Sequence, residues 1–233
     1  MTPAARRDAR TLAALQTLDG ATRPRSRLRL AIARASRRSQ RRHLLAEPLG
    51  RRTPGVGHTG PMTSQTAGFG PIVQLAWVTD DLDATEQALG PAFGAVGWAR
   101  MPGIHFGPDA CTLRGEPADF TADISLSYAG DLQLELIRPV AGTSMYSEFL
   151  AERGPGLHHV CCEVADLDAA LEQAARDGLE VVQAGTMAGG LMRFAYLDTA
   201  AAGASYVELA EISADLKAMF ADIRSRAGEV QRL

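Results

Sequence analysis

Alternating hydrophobic and polar residues predict a strand followed by an amphipathic helix at two places in the chain. At residues 157–164, successive side chains alternate between the two faces of a pleated segment. Asp166 follows at the position of a helix N-cap, and the apolar residues after it recur at helical spacing. Residues 72–78 begin the same pattern, with Asp81 as the predicted N-cap. The hydrophobic pattern therefore predicts two similar strand–helix units.

The two units are copies of one sequence. When Gln74 is aligned with His159, the residues Asp-Leu-Asp-Ala at 81–84 stand opposite the same four residues at 166–169. Identical residues at one constant offset indicate an internal repeat. The chain is therefore predicted to contain a duplicated unit.

Each copy has a downstream strand with a glutamate at its centre. Residues 132–139 carry Glu135 and residues 205–212 carry Glu208, and the neighbours of both glutamates are apolar. Because side chains alternate along a strand, the neighbours point to the helix-packing face and the glutamates to the other face. Four strands thus each place one polar candidate on a common face. The four candidates are Gln74, Glu135, His159 and Glu208.

The remaining pattern completes both units. Gly130-Asp131 predicts a tight hairpin, and Gly90-Pro91 predicts the end of the first helix. The predicted strands are residues 72–79, 97–100, 104–113, 123–129, 132–138, 157–164, 180–184, 191–198 and 204–211, and the predicted helices are residues 82–89, 144–153 and 167–177.

A last helix is predicted to begin at Ser213. Its apolar residues recur at i, i+3, i+4 and i+7, which is typical of one buried helix face. Such a stripe must cover either the sheet or a second subunit. The stripe comprises Leu216, Met219, Phe220 and Ile223.

Composition limits the class of protein. The 233 residues are 46% hydrophobic and 22% charged, which allows a sizeable core in one or two domains. No apolar run reaches the roughly 18 residues of a membrane span, so we expect a soluble protein without a membrane partner. The three cysteines have neither disulfide nor zinc-finger spacing, which favours a reducing compartment and a cytoplasmic location.

The net charge of −3 conceals a strong asymmetry. Residues 1–61 contain 14 Arg, 3 acidic residues and no aromatic residue, so we predict a disordered basic leader with at most a short helix near residues 28–34. Three interpretations of it stay open. It is translated sequence upstream of a true start at Met62, an organellar transit peptide, or a tail that binds nucleic acid. The first interpretation, which we favour, implies no nucleic-acid partner.

The duplicated order, with Gln or His before and Glu after each Asp-Leu-Asp-Ala motif, resembles the vicinal oxygen chelate superfamily. This group includes glyoxalases, bleomycin-resistance proteins and extradiol dioxygenases, and the resemblance covers about residues 70–212. It implies an α+β domain at residues 62–212, in which two tandem βαβββ units form a cupped mixed sheet with helices on the outer face. The units would span about residues 70–140 and 157–212, with a C-terminal helix at residues 213–233. Family members also suggest a homodimer.

The resemblance implies a divalent metal site, because the first and last strand of each unit supply one ligand each in this superfamily. Carried over by position, the ligands would be the four candidates above. Two carboxylates, one amide oxygen and one imidazole would neutralise the ion and suit Zn, Ni, Co, Mn or Fe(II). An ion with open positions polarises a carbonyl and acidifies the neighbouring C–H. The single histidine, His159, disfavours ring cleavage by an iron site that needs two histidines.

The similarity is closest to methylmalonyl-CoA epimerase-like and lactoylglutathione lyase-like members, through GLHHVCCEV, LELIRP and the Gln/Glu/His/Glu set. We therefore expect a metal-dependent isomerase, epimerase or carbon–sulfur lyase that moves a proton next to a metal-bound carbonyl. The substrate would be a small carbonyl or thioester compound. Glu208 would be the base, with Glu135 or a metal-bound water opposite it. The alternative is a non-catalytic protein that binds or sequesters a small ligand in the same cup.

Further side chains are expected near these candidates. His158 is predicted to point to the opposite face of its strand, and Cys161 to form part of the pocket wall. Four residues are predicted to reach the pocket as anion or carbonyl contacts. They are His105, Arg193, Tyr196 and Tyr206.

Overall fold

The structure, a computed structural model, describes residues 68–202 and 205–230. The leader predicted at residues 1–61, with its short helix, lies outside these ranges. The strands are β1 (Ile72–Val78), β2 (Ala99–Phe106), β3 (Cys111–Leu113), β4 (Glu116–Pro117), β5 (Phe120–Ala129), β6 (Leu132–Gly142), β7 (Gly156–Glu163), β8 (Val181–Met187), β9 (Met192–Asp198) and β10 (Tyr206–Ile212). The α-helices are α1 (Leu82–Phe93), α2 (Met145–Arg153), α3 (Leu167–Arg176) and α4 (Ala214–Val230), with short 3-10 turns at Ala188–Gly190 and Ala200–Ala202.

Both repeat helices begin at the predicted aspartates. Asp81 accepts a hydrogen bond from the backbone N–H of Ala84, and Asp166 accepts one from that of Ala169, each at 3.0 Å. These bonds satisfy one of the N–H groups that a helix leaves unpaired at its start. The two predicted N-caps are therefore confirmed.

The end of α1 differs from the prediction. Pro91 lies inside the helix, which continues to Phe93 and ends at Gly94 in a left-handed conformation, with φ of 68°. The N–H of Gly94 donates to the carbonyl oxygen of Gly90 at 2.8 Å. A proline removes one intrahelical hydrogen bond, but the next turn still closes over it, so Gly90-Pro91 does not end the helix.

The ten described strands form one mixed sheet in the order β2-β5-β6-β1-β7-β10-β9-β8-β3-β4. The first copy contributes β2-β5-β6-β1, and the second contributes the mirrored order β7-β10-β9-β8. The first and last strands of each copy are parallel neighbours, and the copies join through the antiparallel β1–β7 pair. The predicted α+β fold with two tandem βαβββ units is confirmed.

The short strands β3 and β4 show how far the sheet curls. β2 ends at Phe106 on one edge of the eight repeat strands, yet β3 begins at Cys111 and pairs with β8 on the opposite edge. The few residues between them span at most about 18 Å, so the two edges lie close together. One strand was predicted for residues 104–113. Gly107-Pro108 divides it, because a proline cannot donate to a sheet.

Apolar side chains pack on both faces of the sheet. On the convex face, Leu82 and Leu89 of α1 pack against Leu136, while Leu167 and Leu171 of α3 pack on the second copy. On the concave face, aromatic and aliphatic residues of β5, β9 and α2 form a larger cluster. The two repeat helices therefore cover the outside of the cup, which leaves its inside to other elements.

Helix α4 lies across the open side of the cup. Ile223 is 2% exposed and packs in the concave cluster. Lys217 forms an ion pair with Glu163 at 2.6 Å, and Arg224 forms one with Asp131 at 2.7 Å. Since Asp131 belongs to the first copy and Glu163 to the second, α4 is tied to both. The apolar stripe of this helix was predicted to cover either the sheet or a second subunit, and in the structure it covers the sheet. In the described part of the chain, no helix has the length and apolarity that crossing a membrane requires.

The Asp166 cap can be tested by removing its side-chain acceptor. Asp166→Ala should lower the free energy of unfolding by about 1 kcal/mol, because the first turn of α3 loses its cap. Asp166→Asn keeps an acceptor oxygen and should stay close to the wild type in urea denaturation. Equal losses in the two variants would show that the cap does not stabilise the helix.

Candidate functional site

A cavity of about 390 Å³ lies between the concave face of the sheet and α4. The sheet strands form its floor, and α4 contributes Leu216, Met219 and Phe220 to its roof. Polar side chains lie at the floor, where the two copies meet. They are Gln74, Gln133, Glu135, Cys161, Tyr196 and Glu208.

One row of these residues crosses five neighbouring strands. In the sheet register, Gln74 lies between Gln133 and Cys161. Glu208 lies between Cys161 and Tyr196. Residues paired in this way share a face, and their strands lie about 4.8 Å apart. The row is therefore a continuous polar strip along the cavity floor.

Glu135 and His159 lie in the next row, on either side of Ala76. The Nε2 atom of His159 is 3.6 Å from Oε2 of Glu135 and 3.2 Å from Oε2 of Glu208. Ala76 is fully buried, and its single methyl group leaves room for the larger side chains beside it. His159 and Glu208 are 2% and 3% exposed, so the imidazole and the carboxylates meet away from bulk water.

Gln74 is oriented by a chain of amide hydrogen bonds. Its Nε2 donates to Oε1 of Gln133 at 2.7 Å, and Nε2 of Gln133 donates to the hydroxyl of Tyr128 at 2.7 Å. Oε1 of Gln74 is buried without a hydrogen-bond partner, as is Nε2 of His159. Buried polar atoms are normally paired, so two orphaned atoms in one site indicate a missing partner.

The electrostatics of the site favour a proton or a cation. Burial raises the pKa of the Glu135 carboxyl well above its ordinary value, and the nearby Glu208 raises it further. Burial and the same glutamate also raise the pKa of the Tyr146 and Tyr196 hydroxyls, which therefore stay protonated. Two carboxylates in a low-dielectric site cannot both remain ionised without a positive partner.

Cys161 lies inside the polar strip and lines the cavity. This agrees with its predicted position in the pocket wall. Burial raises the pKa of its thiol well above the ordinary value, and Glu208 adds to the effect. The thiolate is the form that attacks electrophiles, so burial keeps Cys161 in its less reactive form.

His158 does not point to the opposite face as predicted. The β7 strand bulges here, because Ala76 pairs with His159 and Trp77 with Leu157, which leaves His158 as an extra residue. Its Nδ1 lies 3.0 Å from Nδ1 of His159, on the inner side of the sheet. Burial holds the pKa of His158 at about 2, so the ring is neutral. A bulge inverts the alternation on which the prediction rested.

The four predicted pocket contacts divide into two pairs. His105 lines the rim of the cavity, where its Nε2 lies 2.8 Å from Oδ1 of Asp119, and Tyr196 lines the floor. The structure places Arg193 outside the cavity, in ion pairs with Asp168 at 2.6 Å and Glu211 at 3.0 Å.

Tyr206 also lies outside the cavity lining, with its ring 4.9 Å from that of His158. Arg193 lies on the convex face, where it pairs with Glu211. Tyr206 lies on the same face as Glu208 and packs against the concave cluster, so its place along β10, and not its face, keeps it out of the cavity.

Two site residues were not among the predicted site residues. Gln133 lies two positions before Glu135 on the same strand face, and simple alternation would have indicated it. Tyr146 lies on α2, and its hydroxyl donates to the hydroxyl of Tyr196 at 2.7 Å. The position of Tyr146 depends on where α2 enters the cup, for which the repeat carries no signal.

Residues 73–196 match the family model of the Glyoxalase/Bleomycin resistance protein/Dioxygenase superfamily. The chain belongs to this superfamily. The match runs from β1 into β9, so it contains the first copy and all but the end of the second, and it covers more than half of the chain. It confirms the resemblance inferred from the repeat.

Solved structures with a similar fold include methylmalonyl-CoA epimerase from Mycobacterium tuberculosis, which is 21% identical over 63% of this chain and 91% of that one, with a TM-score of 0.43. A hypothetical protein from Bacillus halodurans C-125 is 14% identical over 60% and 93%, with a TM-score of 0.46. Streptomyces coelicolor methylmalonyl-CoA epimerase in complex with 2-nitronate-propionyl-CoA is 19% identical over 63% and 100%, with a TM-score of 0.42. No curated protein sequence matches the chain. Membership of the superfamily rests on the family match alone.

The unfavourable interaction between the carboxylates of Glu135 and Glu208 can be measured in the metal-free protein. Glu135→Gln removes one of two buried carboxylates, so it should raise Tm in the presence of EDTA by about 2–4 °C, or about 1 kcal/mol. Glu172→Gln on α3, whose side chain is 76% exposed, is the matched control and should leave Tm unchanged. A lower Tm for Glu135→Gln would mean that its carboxylate stabilises the metal-free fold.

Proposed function

We propose that this protein is a divalent-metal-dependent isomerase, epimerase or lyase that transfers a proton next to a bound carbonyl group. The observation that carries the proposal is the convergence of Glu135 and Glu208 on Nε2 of His159 at the floor of an enclosed cavity. We also propose that the protein is a cytoplasmic homodimer that binds neither nucleic acid nor membranes, and that its substrate is a small carbonyl or thioester compound.

The donor set fits a divalent ion. The donor atoms of a tetrahedral site with bonds near 2.05 Å lie about 3.3 Å apart. The separations of His159 Nε2 from the two carboxylates, 3.2 and 3.6 Å, bracket that value, and the orphaned Oε1 of Gln74 supplies a fourth donor. Within residues 68–202 and 205–230, no three His, Cys, Asp or Glu side chains already surround one ion position, so binding would turn the glutamate side chains inward.

His158 helps to prepare His159 for this role. A neutral His158 accepts a hydrogen bond at Nδ1 when its own hydrogen is on Nε2, so His159 can donate its Nδ1–H across the 3.0 Å contact. The lone pair of His159 then lies on Nε2, which faces the two carboxylates. Outer partners of this kind fix the tautomer and orientation of a metal-binding imidazole.

A bound ion would polarise the substrate carbonyl and lower the pKa of the adjacent C–H. Zn, Ni, Co, Mn and Fe(II) all suit a set of three oxygens and one imidazole nitrogen. Gln74, Glu135, His159 and Glu208 would hold it.

The carboxylates and one tyrosine would handle the protons. Glu208 takes the proton from the carbon next to the carbonyl, and Glu135 returns it from the other side of the site. Tyr196 accepts a hydrogen bond from the hydroxyl of Tyr146. Its own hydroxyl hydrogen is therefore free to form a hydrogen bond to a substrate oxygen. The raised pKa of Tyr196 keeps that hydrogen in place.

A non-catalytic ligand-binding protein is the second candidate. The observation in its favour is that most of the cavity wall is apolar. The two candidates differ in metal content and in proton exchange.

Metal binding separates these candidates directly. The wild type should bind one divalent ion per chain in titration calorimetry with Zn, Ni, Co, Mn or Fe(II), and elemental analysis should find it after dialysis. Glu208→Gln and His159→Ala should each weaken binding by about 100-fold or more, because each removes a ligand. His105→Ala, a histidine at the cavity rim, is the control and should bind as the wild type does. The metal proposal is wrong if the wild type binds none of the five ions.

Proton transfer can be followed without knowing the natural substrate. In D₂O, the metal-loaded protein should catalyse exchange of the hydrogen next to the carbonyl in at least one member of a panel of small ketones, acyl-CoA epimers and thiol hemithioacetals, measured by NMR. Glu208→Gln should reduce the rate by about 10²–10⁴-fold, because the general base is lost. Tyr196→Phe should reduce it less and keep metal affinity. Exchange that survives in Glu208→Gln would assign the base elsewhere.

A further inference from the structure

The cavity is polar at one end and apolar at the other. Beyond the polar floor, four methionines and Phe220 of α4 line the walls and roof, the methionines being Met101, Met187, Met192 and Met219. An unbranched thioether side chain adapts to hydrocarbon groups of different shapes. The same walls offer no partner to a charged group, whose burial would be costly. A ligand with one polar end and a hydrocarbon body matches this lining.

Each basic side chain that lines the cavity contacts a carboxylate. The basic residues among the described cavity lining are His105, Lys217 and Arg224. Their nitrogen atoms lie 2.8, 2.6 and 2.7 Å from the carboxylates of Asp119, Glu163 and Asp131, respectively. Phosphate groups are recognised by cations that are free to form charge-assisted hydrogen bonds. A phosphate that binds any one of them has to compete with the carboxylate that already contacts it.

Helix α4 also limits the size of the ligand. It crosses the open side of the cup and is held at both rims by the Lys217–Glu163 and Arg224–Asp131 ion pairs. The cavity volume of about 390 Å³ is near the lower end of the roughly 300–1,000 Å³ of small-molecule pockets. While α4 stays docked, a long substituent cannot leave the cavity on the side that this helix covers.

We infer that the substrate is a compact, uncharged carbonyl compound with a hydrocarbon body, and that α4 excludes nucleotide-bearing thioesters from the site. The carbonyl oxygen would lie at the glutamate floor, and this part of the inference rests on the proposed function. The hydrocarbon body would lie against the methionines and under α4. The roof helix is thus the element that narrows the substrate class from carbonyl compounds in general to small apolar ones.

Binding of the neutral fluorescent probe N-phenyl-1-naphthylamine to the full-length protein tests the apolar roof. Met219→Glu places a carboxylate in the roof and should weaken probe binding by about 10-fold or more, because the charge would be desolvated. Ala218→Glu, one residue earlier on the exposed side of α4, makes the same charge change outside the cavity and should stay within about twofold of the wild type. Equal affinities for the two variants would overturn the inference.

A second variant covers the case in which Met219→Glu does not fold. Met219→Gln keeps the length of the side chain but makes it polar, and circular dichroism checks the folding of each variant. It should weaken probe binding by about threefold or more, because the amide loses hydrogen bonds to water. Unchanged binding in a folded Met219→Gln variant would refute the roof as a binding surface.

Competition against the same probe tests the substrate class. In the wild type, 2-octanone should displace the probe, whereas acetyl-CoA at equal concentration should not. Displacement by acetyl-CoA as effective as that by 2-octanone would overturn the exclusion of nucleotide-bearing thioesters.

The probe measurements are made in EDTA, so they need neither metal nor turnover. A protein that binds 2-octanone in this way but binds no divalent ion refutes the proposed enzyme and supports the ligand class. A protein that binds metal and exchanges protons but binds acetyl-CoA equally well refutes the ligand class alone.

Discussion

The contact of one buried imidazole with two glutamates is the interaction on which the rest of the site depends. His159 lies between Glu135 and Glu208, and burial together with the nearby Glu208 raises the pKa of the Glu135 carboxyl well above its ordinary value. Removing such groups from water is unfavourable, so the fold must supply a proton, a cation or a set of donors. The buried Oε1 of Gln74 has no hydrogen-bond partner in the described structure, so it is an acceptor that such a group could use.

The duplicated topology explains how these residues come together. In each copy, the first and last strands are parallel neighbours, and the antiparallel β1–β7 pair places the two copies side by side. Equivalent positions on β6, β1, β7 and β10 therefore occupy four adjacent strands. Ala76 and Cys161 are small enough to leave space among the larger side chains. Because the sheet curls until its edges meet through β3, this cluster lies at the bottom of an enclosed cup, where electrostatic interactions are stronger than in water.

Superfamily membership does not by itself choose a reaction, because one fold supports many chemistries. The helix that covers the cavity lies outside the repeat. Helix α4 has no counterpart in either βαβββ unit, and yet it forms the roof of the cavity and joins the two halves through Lys217 and Arg224. The repeat thus supplies the polar floor, while the appended helix sets the size and polarity of the space above it.

The sequence alone determined what depends on local pattern. It predicted the repeat, the caps at Asp81 and Asp166 and the strand face of the four candidates, because alternation and helical spacing are encoded by near neighbours. The α+β fold with two tandem units followed from the family resemblance of that repeat. Only the tertiary structure decided the rest. The bulge at His158 adds one residue and so inverts the face, while Arg193 turns to carboxylates of other elements. The pairing of β3 with β8 and the docking of α4 in the cup depend on contacts between distant segments, which no local period records.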